Sequence, residues 1–196
     1  TSVPYLGDIP IFAGKKSARG VAVRENGRDN ISEAFRILRT NMNFMRKGET
    51  DNKVITLTSF NESAGKTFVV SNLARSIANA QKRVLLIDID IRKGTLSQPL
   101  GRKVQGLSNY LADPSITVDN ILHKEFLPNV DLIPAGTIAP NPAELLMSDR
   151  LDALVAQMRD KYDYIIADNV PIGIIADGSI SNRIADMTLF VVRAGR

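Results

Sequence analysis

The chain contains no cysteine, so disulfides and zinc–thiolate sites are excluded and a reducing compartment is the natural expectation. It has one histidine, His123, between Leu122 and Lys124. A single imidazole without neighbouring candidates cannot build a metal site, and we expect a surface residue near a helix end. No apolar run approaches bilayer-spanning length and no signal peptide is visible, so the chain reads as a soluble piece. Aromatic residues are sparse and not interleaved with the basic ones, which argues against nucleic acid as a partner.

What is present is a strand, a small-residue loop and a helix. Val54-Ile55-Thr56-Leu57-Thr58-Ser59 is β-branched and apolar, and the stretch from Lys66 repeats apolar residues at Phe68, Val69, Leu73, Ile77 and Ala78 at helical spacing. Between them Ser63, Ala64 and Gly65 let backbone N–H groups approach a polyphosphate at the positive end of the helix. Lys66 supplies a mobile positive charge for the β- and γ-phosphates, and the Thr67 hydroxyl is placed for a magnesium ion. This is a Walker A loop with one departure: Phe60 stands where glycine is usual. Gly-Lys-Thr alone recurs by chance, so the assignment rests on the carboxylates that follow.

Arg83-Val84-Leu85-Leu86-Ile87-Asp88-Ile89-Asp90-Ile91-Arg92 has the unbroken apolar run of a strand buried on both faces. Asp88 and Asp90, two residues apart at its carboxyl end, are expected to face the same way, at the sheet edge where open α/β folds bind ligands. Such a pair suggests magnesium and proton chemistry. Tyr162-Asp163-Tyr164-Ile165-Ile166-Ala167-Asp168 has the form of a Walker B strand whose aspartate holds the metal. Pro171 and Gly173 mark the loop beyond it.

Residues 1–29 mix glycine, proline and charge without periodicity, and read as an extended, weakly basic connector with at most one short strand around Tyr5-Leu6-Gly7. A helix follows, with Asn30 as cap and Glu33 closing a capping box. Its apolar positions are Ile31, Ala34, Phe35, Leu38, Met42 and Met45; Glu33, Arg36 and Arg39 form the other face, with Glu33 placed to pair with Arg36. Shorter helices are expected at 106–111, 118–123, from Pro142, through 151–161 and at 179–184, with strands at 130–136 and 188–192. Strands alternating with helices predict a mostly parallel α/β sheet flanked by helices on both faces, in one domain over 30–196.

Together these residues resemble the cytoplasmic domain of the bacterial tyrosine kinases (BY-kinases) attached to polysaccharide co-polymerases, P-loop proteins of the deviant-Walker, partition/Min-type class. The resemblance covers nearly the whole chain. It rests on Glu33-x-x-Arg36-x-x-Arg39 with Thr40-Asn41, on Gly65-Lys66-Thr67, on Asp88-x-Asp90-x-Arg92, and on Tyr162-Asp163-Tyr164-x-x-x-Asp168. Leu6-Gly7-Asp8-Ile9-Pro10 resembles the segment after the second membrane helix of such co-polymerases.

The resemblance implies an ATP- and magnesium-dependent protein-tyrosine kinase that autophosphorylates in trans and regulates capsule or exopolysaccharide export at the cytoplasmic face of the bacterial inner membrane. It implies catalytic roles for Lys66, Asp88, Asp90 and Asp168, and metal ligation by Thr67, Asp88 and Asp168. Nucleotide contacts would come from Asn61, Glu62, Ser63, Ala64, Gly65, Lys66, Thr67, Phe68 and Arg92. Glu33, Arg36 and Arg39 would serve a ring-shaped homo-oligomer, and a membrane-spanning co-polymerase region and a cognate tyrosine phosphatase would be partners. The family's tyrosine-rich C-terminal tail would lie beyond Arg196, and Asn169-Val170-Pro171 stands where Thr-Pro-Pro is more usual.

Chemistry limits the role of the base. A tyrosine hydroxyl near pKa 10 and a free aspartate near 4 are separated by roughly 8 kcal/mol. An aspartate therefore orients the hydroxyl and accepts its proton late, in a loose transition state. Two other functions fit the same loop: a partition- or Min-type ATPase, whose second loop lysine has no counterpart in Asn61-Glu62-Ser63, and a nucleotide-gated assembly module.

Overall fold

The computed structural model describes residues 2–45, 53–172 and 179–195; Gly173, expected in the loop after the Walker B strand, lies outside them. Helix α1 spans Asn30–Phe44, followed by β1 (Val54–Ser59), α2 (Lys66–Ala78) and β2 (Val84–Asp88). Next come a 3₁₀ turn at Gln98–Leu100, α3 (Leu107–Ala112), α4 (Val118–Ile121), β3 (His123–Leu127) and β4 (Val130–Ile133). The chain continues through α5 (Pro142–Leu146), α6 (Asp149–Arg159), β5 (Tyr164–Asp168), α7 (Ser179–Ile184) and β6 (Met187–Val191).

The six strands form one sheet in the order β3-β4-β2-β5-β1-β6. Every pairing is parallel except that of β3 with β4. The near-continuous apolar strands follow from burial on both faces: β1, β2, β4 and β5 are buried at every residue. Alternate residues divide between two cores. Val84 and Leu86 pack with Phe35, Leu73 and Ile77 of α1 and α2, whereas Leu85 and Ile87 pack with Leu107, Leu151 and Leu154 of α3 and α6. β5 lies between β1 and β2 with Leu57 opposite Asp168 and Asp88 opposite Asp168, so the three informative strand ends meet at one edge.

Two local readings change. β3 was not legible as a strand: His123 opens it rather than ending a helix, and its register with β4 shifts between His123 and Leu127. The cap of α1 is Asp29, whose carboxylate accepts from Ser32 N at 3.0 Å and from Ser32 Oγ at 2.8 Å; Asn30 is already helical, and Glu33 bonds Arg36 instead of closing a box. No strand forms at Tyr5–Gly7.

Residues 2–29 also do more than connect. Ala22 and Val23 are buried, and Leu6, Ile9, Phe12 and Val21 pack against the core under α1 and α2. The clasp is Asn72, fully buried on α2: its Oδ1 accepts from Ala22 N at 2.8 Å and Val23 N at 2.9 Å, and its Nδ2 donates to Phe68 O at 2.8 Å. Asn72→Ala would orphan two buried amides, so we expect a loss of about 2–3 kcal/mol. Chemical denaturation would show it, with hydrogen exchange accelerated at Ala22 and Val23; unchanged exchange there would argue against the clasp.

Candidate active site

The loop between β1 and α2 is shaped by one glycine. Gly65 caps α2 with φ +86° and has open space where a Cβ would stand, so glycine is needed there for its left-handed backbone and not for room. Phe60 needs no such freedom. Among the described residues, the non-glycine positions with positive φ are Asn26, Gln81, Glu125 and Asn129, and the Phe60 ring sits exposed, edge-on to Phe190 at 4.7 Å. That explains how the chain dispenses with the first glycine of the loop.

Lys66 and Thr67, the first two residues of α2, both reach the end of β5. The buried Lys66 ammonium bonds Asp168 Oδ1, and the Thr67 hydroxyl donates to Asp168 Oδ2 at 2.9 Å. Burial pushes the Asp168 carboxyl above the usual carboxylate range, with the ammonium and hydroxyl opposing that shift. Across the strand pair, Asp88 is fully buried and raised to about 8, first by desolvation and then by the charge of Asp168. Its Oδ2 accepts from Ser97 N at 3.0 Å and Ser97 Oγ at 2.5 Å. Its Oδ1 is buried and has no hydrogen-bond partner among the described residues.

β2 ends at Asp88, so strand alternation does not extend to Asp90. Asp90 enters through the turn that follows, its Oδ1 accepting from Lys93 N at 3.2 Å and its amide donating to Asp168 O at 3.2 Å. It still acts on both other carboxylates, raising each. Arg92 and Lys93 turn toward the loop and bond the Glu62 carboxylate, Arg92 at 3.0 Å, holding that exposed acid below its usual range. The Phe68 ring faces away, among Phe12, Phe35 and the ammonium of Lys16. Asn61, Ser63, Ala64 and Gly65 lie along the loop, where their amides are the groups a phosphate chain would meet.

Glu33, Arg36 and Arg39 sit on another surface. Arg36 pairs with Glu33 and donates to Gly27 O at 2.8 Å; Arg39 donates to Ser76 O of α2. Both guanidinium groups line a cavity of about 170 Å³ with Arg24, Ser76 and Asn79. Partial burial and the nearby Arg36 charge lower the Arg39 pKa.

Among the described residues no three acidic or imidazole side chains converge as a metal cage. The donor set nevertheless suits magnesium, which is usually held by one or two carboxylates, waters and substrate phosphates. Asp88 Oδ1, buried and without a partner among the described residues, and the neighbouring Asp168 with the Thr67 hydroxyl on it are donors of that kind. Sequence reasoning located Lys66, Thr67, Asp88, Asp90 and Asp168 at this edge. It missed Ser97, a serine in a turn-rich stretch with no motif to mark it.

A family model described as the AAA domain matches residues 52–193. The tyrosine-protein kinase wzc of Salmonella typhimurium is 43% identical over 169 residues, covering 86% of this chain and 23% of that relative. The chain thus spans under a quarter of the length of the curated relatives it matches. The solved kinase domain of Escherichia coli tyrosine kinase ETK has TM-score 0.80 at 35% identity, covering 87% of this chain and 67% of that one. The BceF tyrosine kinase domain has TM-score 0.76 at 38% identity, covering 86% and 67%. With this sheet, this loop and these carboxylates, the chain belongs to the AAA-domain family and, within it, to the bacterial tyrosine kinases.

Proposed function

We propose that this domain transfers the γ-phosphoryl group of ATP to a tyrosine hydroxyl. The observation that carries the reading is the convergence of Lys66 and Thr67 on Asp168, with Asp88 as its neighbour on the adjoining strand end. In this reading the loop amides and Lys66 bind the phosphates, while Thr67, Asp88 and Asp168 hold magnesium. When bound, the ion would neutralise charge on the transferring group. Asp88 or Asp90 orients the tyrosine hydroxyl and receives its proton.

The test is label transfer from γ-labelled ATP to a glutamate–tyrosine copolymer, with Lys66→Met as control. Label on tyrosine that disappears in the control supports the kinase. Phosphate released to water without labelled tyrosine would replace it with a partition-type ATPase, and nucleotide binding without either reaction with an assembly module.

Glu33, Arg36 and Arg39 we assign to self-association in a ring. Arg36 and Arg39 line a cavity that a carboxylate from another copy would fill with charge-assisted bonds. The double variant Arg36→Ala/Arg39→Ala is expected to shift sedimentation toward monomer, with ATP turnover per subunit within about twofold. An unchanged sedimentation profile would return this face to solvent. The wider setting proposed is a membrane-spanning co-polymerase region in the same chain or a partner chain, a cognate tyrosine phosphatase, and control of exopolysaccharide export from the cytoplasmic face of the inner membrane. Among the described residues no helix is long and apolar enough to cross a membrane.

A further inference from the structure

Ser97 lies nine residues beyond Asp88, in a segment that no motif marks, and it is as buried as the aspartate it touches. Its hydroxyl stands in a chain of three groups. Ala135 N donates to Ser97 Oγ at 2.8 Å, and Ser97 Oγ contacts Asp88 Oδ2 at 2.5 Å, where Ser97 N also donates at 3.0 Å. An amide can only donate, so Ser97 Oγ accepts from Ala135 N, and it gives its own hydrogen to Asp88 Oδ2. Two donors from Ser97 then fall on one carboxylate oxygen, a pattern that suits an unprotonated oxygen and opposes a proton on it.

We propose that Ser97 is a positioning residue that locks Asp88 through Oδ2 and thereby selects Oδ1 as the oxygen that works. Oδ1 is the buried atom without a partner, on the carboxylate that faces Asp168 across the strand pair. It is the oxygen left to bind a water of the metal shell or to receive the acceptor's proton. The same chain ties two strand ends together, since Ala135 follows β4 and Asp88 closes β2. Without the serine hydroxyl, the carboxylate keeps only the Ser97 amide and can rotate, so the two oxygens become interchangeable.

This inference rests on the phosphoryl-transfer reading of the site, but its test does not need tyrosine as acceptor. Ser97→Ala, Asp88→Asn and the double variant are compared in phosphate release from ATP and in the magnesium concentration that half-saturates binding of a fluorescent ATP analogue. Ser97→Ala is expected to lower kcat about tenfold and to raise the half-saturating magnesium several-fold, with KM for ATP nearly unchanged. In the Asp88→Asn background the same change should cost almost nothing, because the hydroxyl acts only through that carboxylate.

Independent, multiplying effects of the two substitutions would overturn the proposal. So would a Ser97→Ala enzyme with wild-type kcat and magnesium dependence, or one whose loss follows only its melting temperature. If label transfer to tyrosine fails while this coupling holds, the kinase reading falls and the role of Ser97 stands.

Discussion

Lys66→Met is expected to lower phosphoryl transfer at least a thousandfold, to the limit of detection in the label assay, and to destabilise the protein in a pH-dependent way. The first effect follows from removing the positive charge that, in the proposed reading, binds the phosphates together with the loop amides and magnesium. The second follows from what stays behind. Lys66 is the ammonium that bonds Asp168 Oδ1, and Asp168 is fully buried. Truncating one member of a buried pair leaves the other charge uncompensated, which costs about 3–5 kcal/mol if it stays ionised. Asp168 escapes by taking a proton, because its carboxyl is already raised by burial and loses the partner that held it down.

A carboxyl raised in the folded state keeps a proton that the unfolded chain has released. Its variant is therefore most stable below the ordinary carboxylate range and loses stability as pH rises toward the folded pKa. Thermal melts of Lys66→Met should thus come nearest to wild type below about pH 4 and fall further behind it as pH rises toward 8. Adding Asp168→Asn should restore the pH 8 melting temperature while leaving the enzyme inactive. Equal melting temperatures for wild type and Lys66→Met across this range would mean that the pair does not hold Asp168 ionised.

The sequence showed most of this edge because its informative residues lie next to strong periodic signals. Lys66 and Thr67 begin an amphipathic helix, and Asp88 and Asp168 end apolar runs, so position in the chain fixed position in the sheet. What it hid was set by tertiary contact. Ser97 approaches Asp88 only because the segment after β2 folds back on the strand end, and nothing local to Thr95-Leu96-Ser97 announces that. The clasp at Asn72 is similar: nothing in the helix's own periodicity marks it, yet it is fully buried and bonds the backbone of Ala22 and Val23, about fifty residues earlier. The antiparallel β3 was missed because His123–Leu127 carries Lys124 and Glu125 on an exposed edge, and its apolar content is too low to separate it from a loop.

Asp88→Asn is expected to reduce ATP turnover at least a hundredfold and yet raise the melting temperature of the nucleotide-free protein at pH 8. The unfolded-state pKa of an aspartate is near 3.9, and in the fold burial and the charge of Asp168 hold Asp88 at about 8. Between those values the unfolded chain binds fewer protons than the folded one, so stability declines as pH rises. The decline amounts to at most about 5 kcal/mol over the window.

The amide of asparagine avoids this penalty. It has no charge to desolvate, and its oxygen can accept both Ser97 donors that now fall on Oδ2. The quantity to measure is the difference in melting temperature between variant and wild type from pH 4 to 8. Carboxylates whose folded pKa is lowered, such as Asp29 and Asp186, affect both proteins alike and cancel. The difference should be small near pH 4 and grow in favour of the variant toward pH 8. Magnesium with nucleotide should shrink it, since the bound cation would favour ionised Asp88 in the wild type and the variant lacks that carboxylate. A difference that stays flat with pH would mean that Asp88 ionises as readily in the fold as out of it.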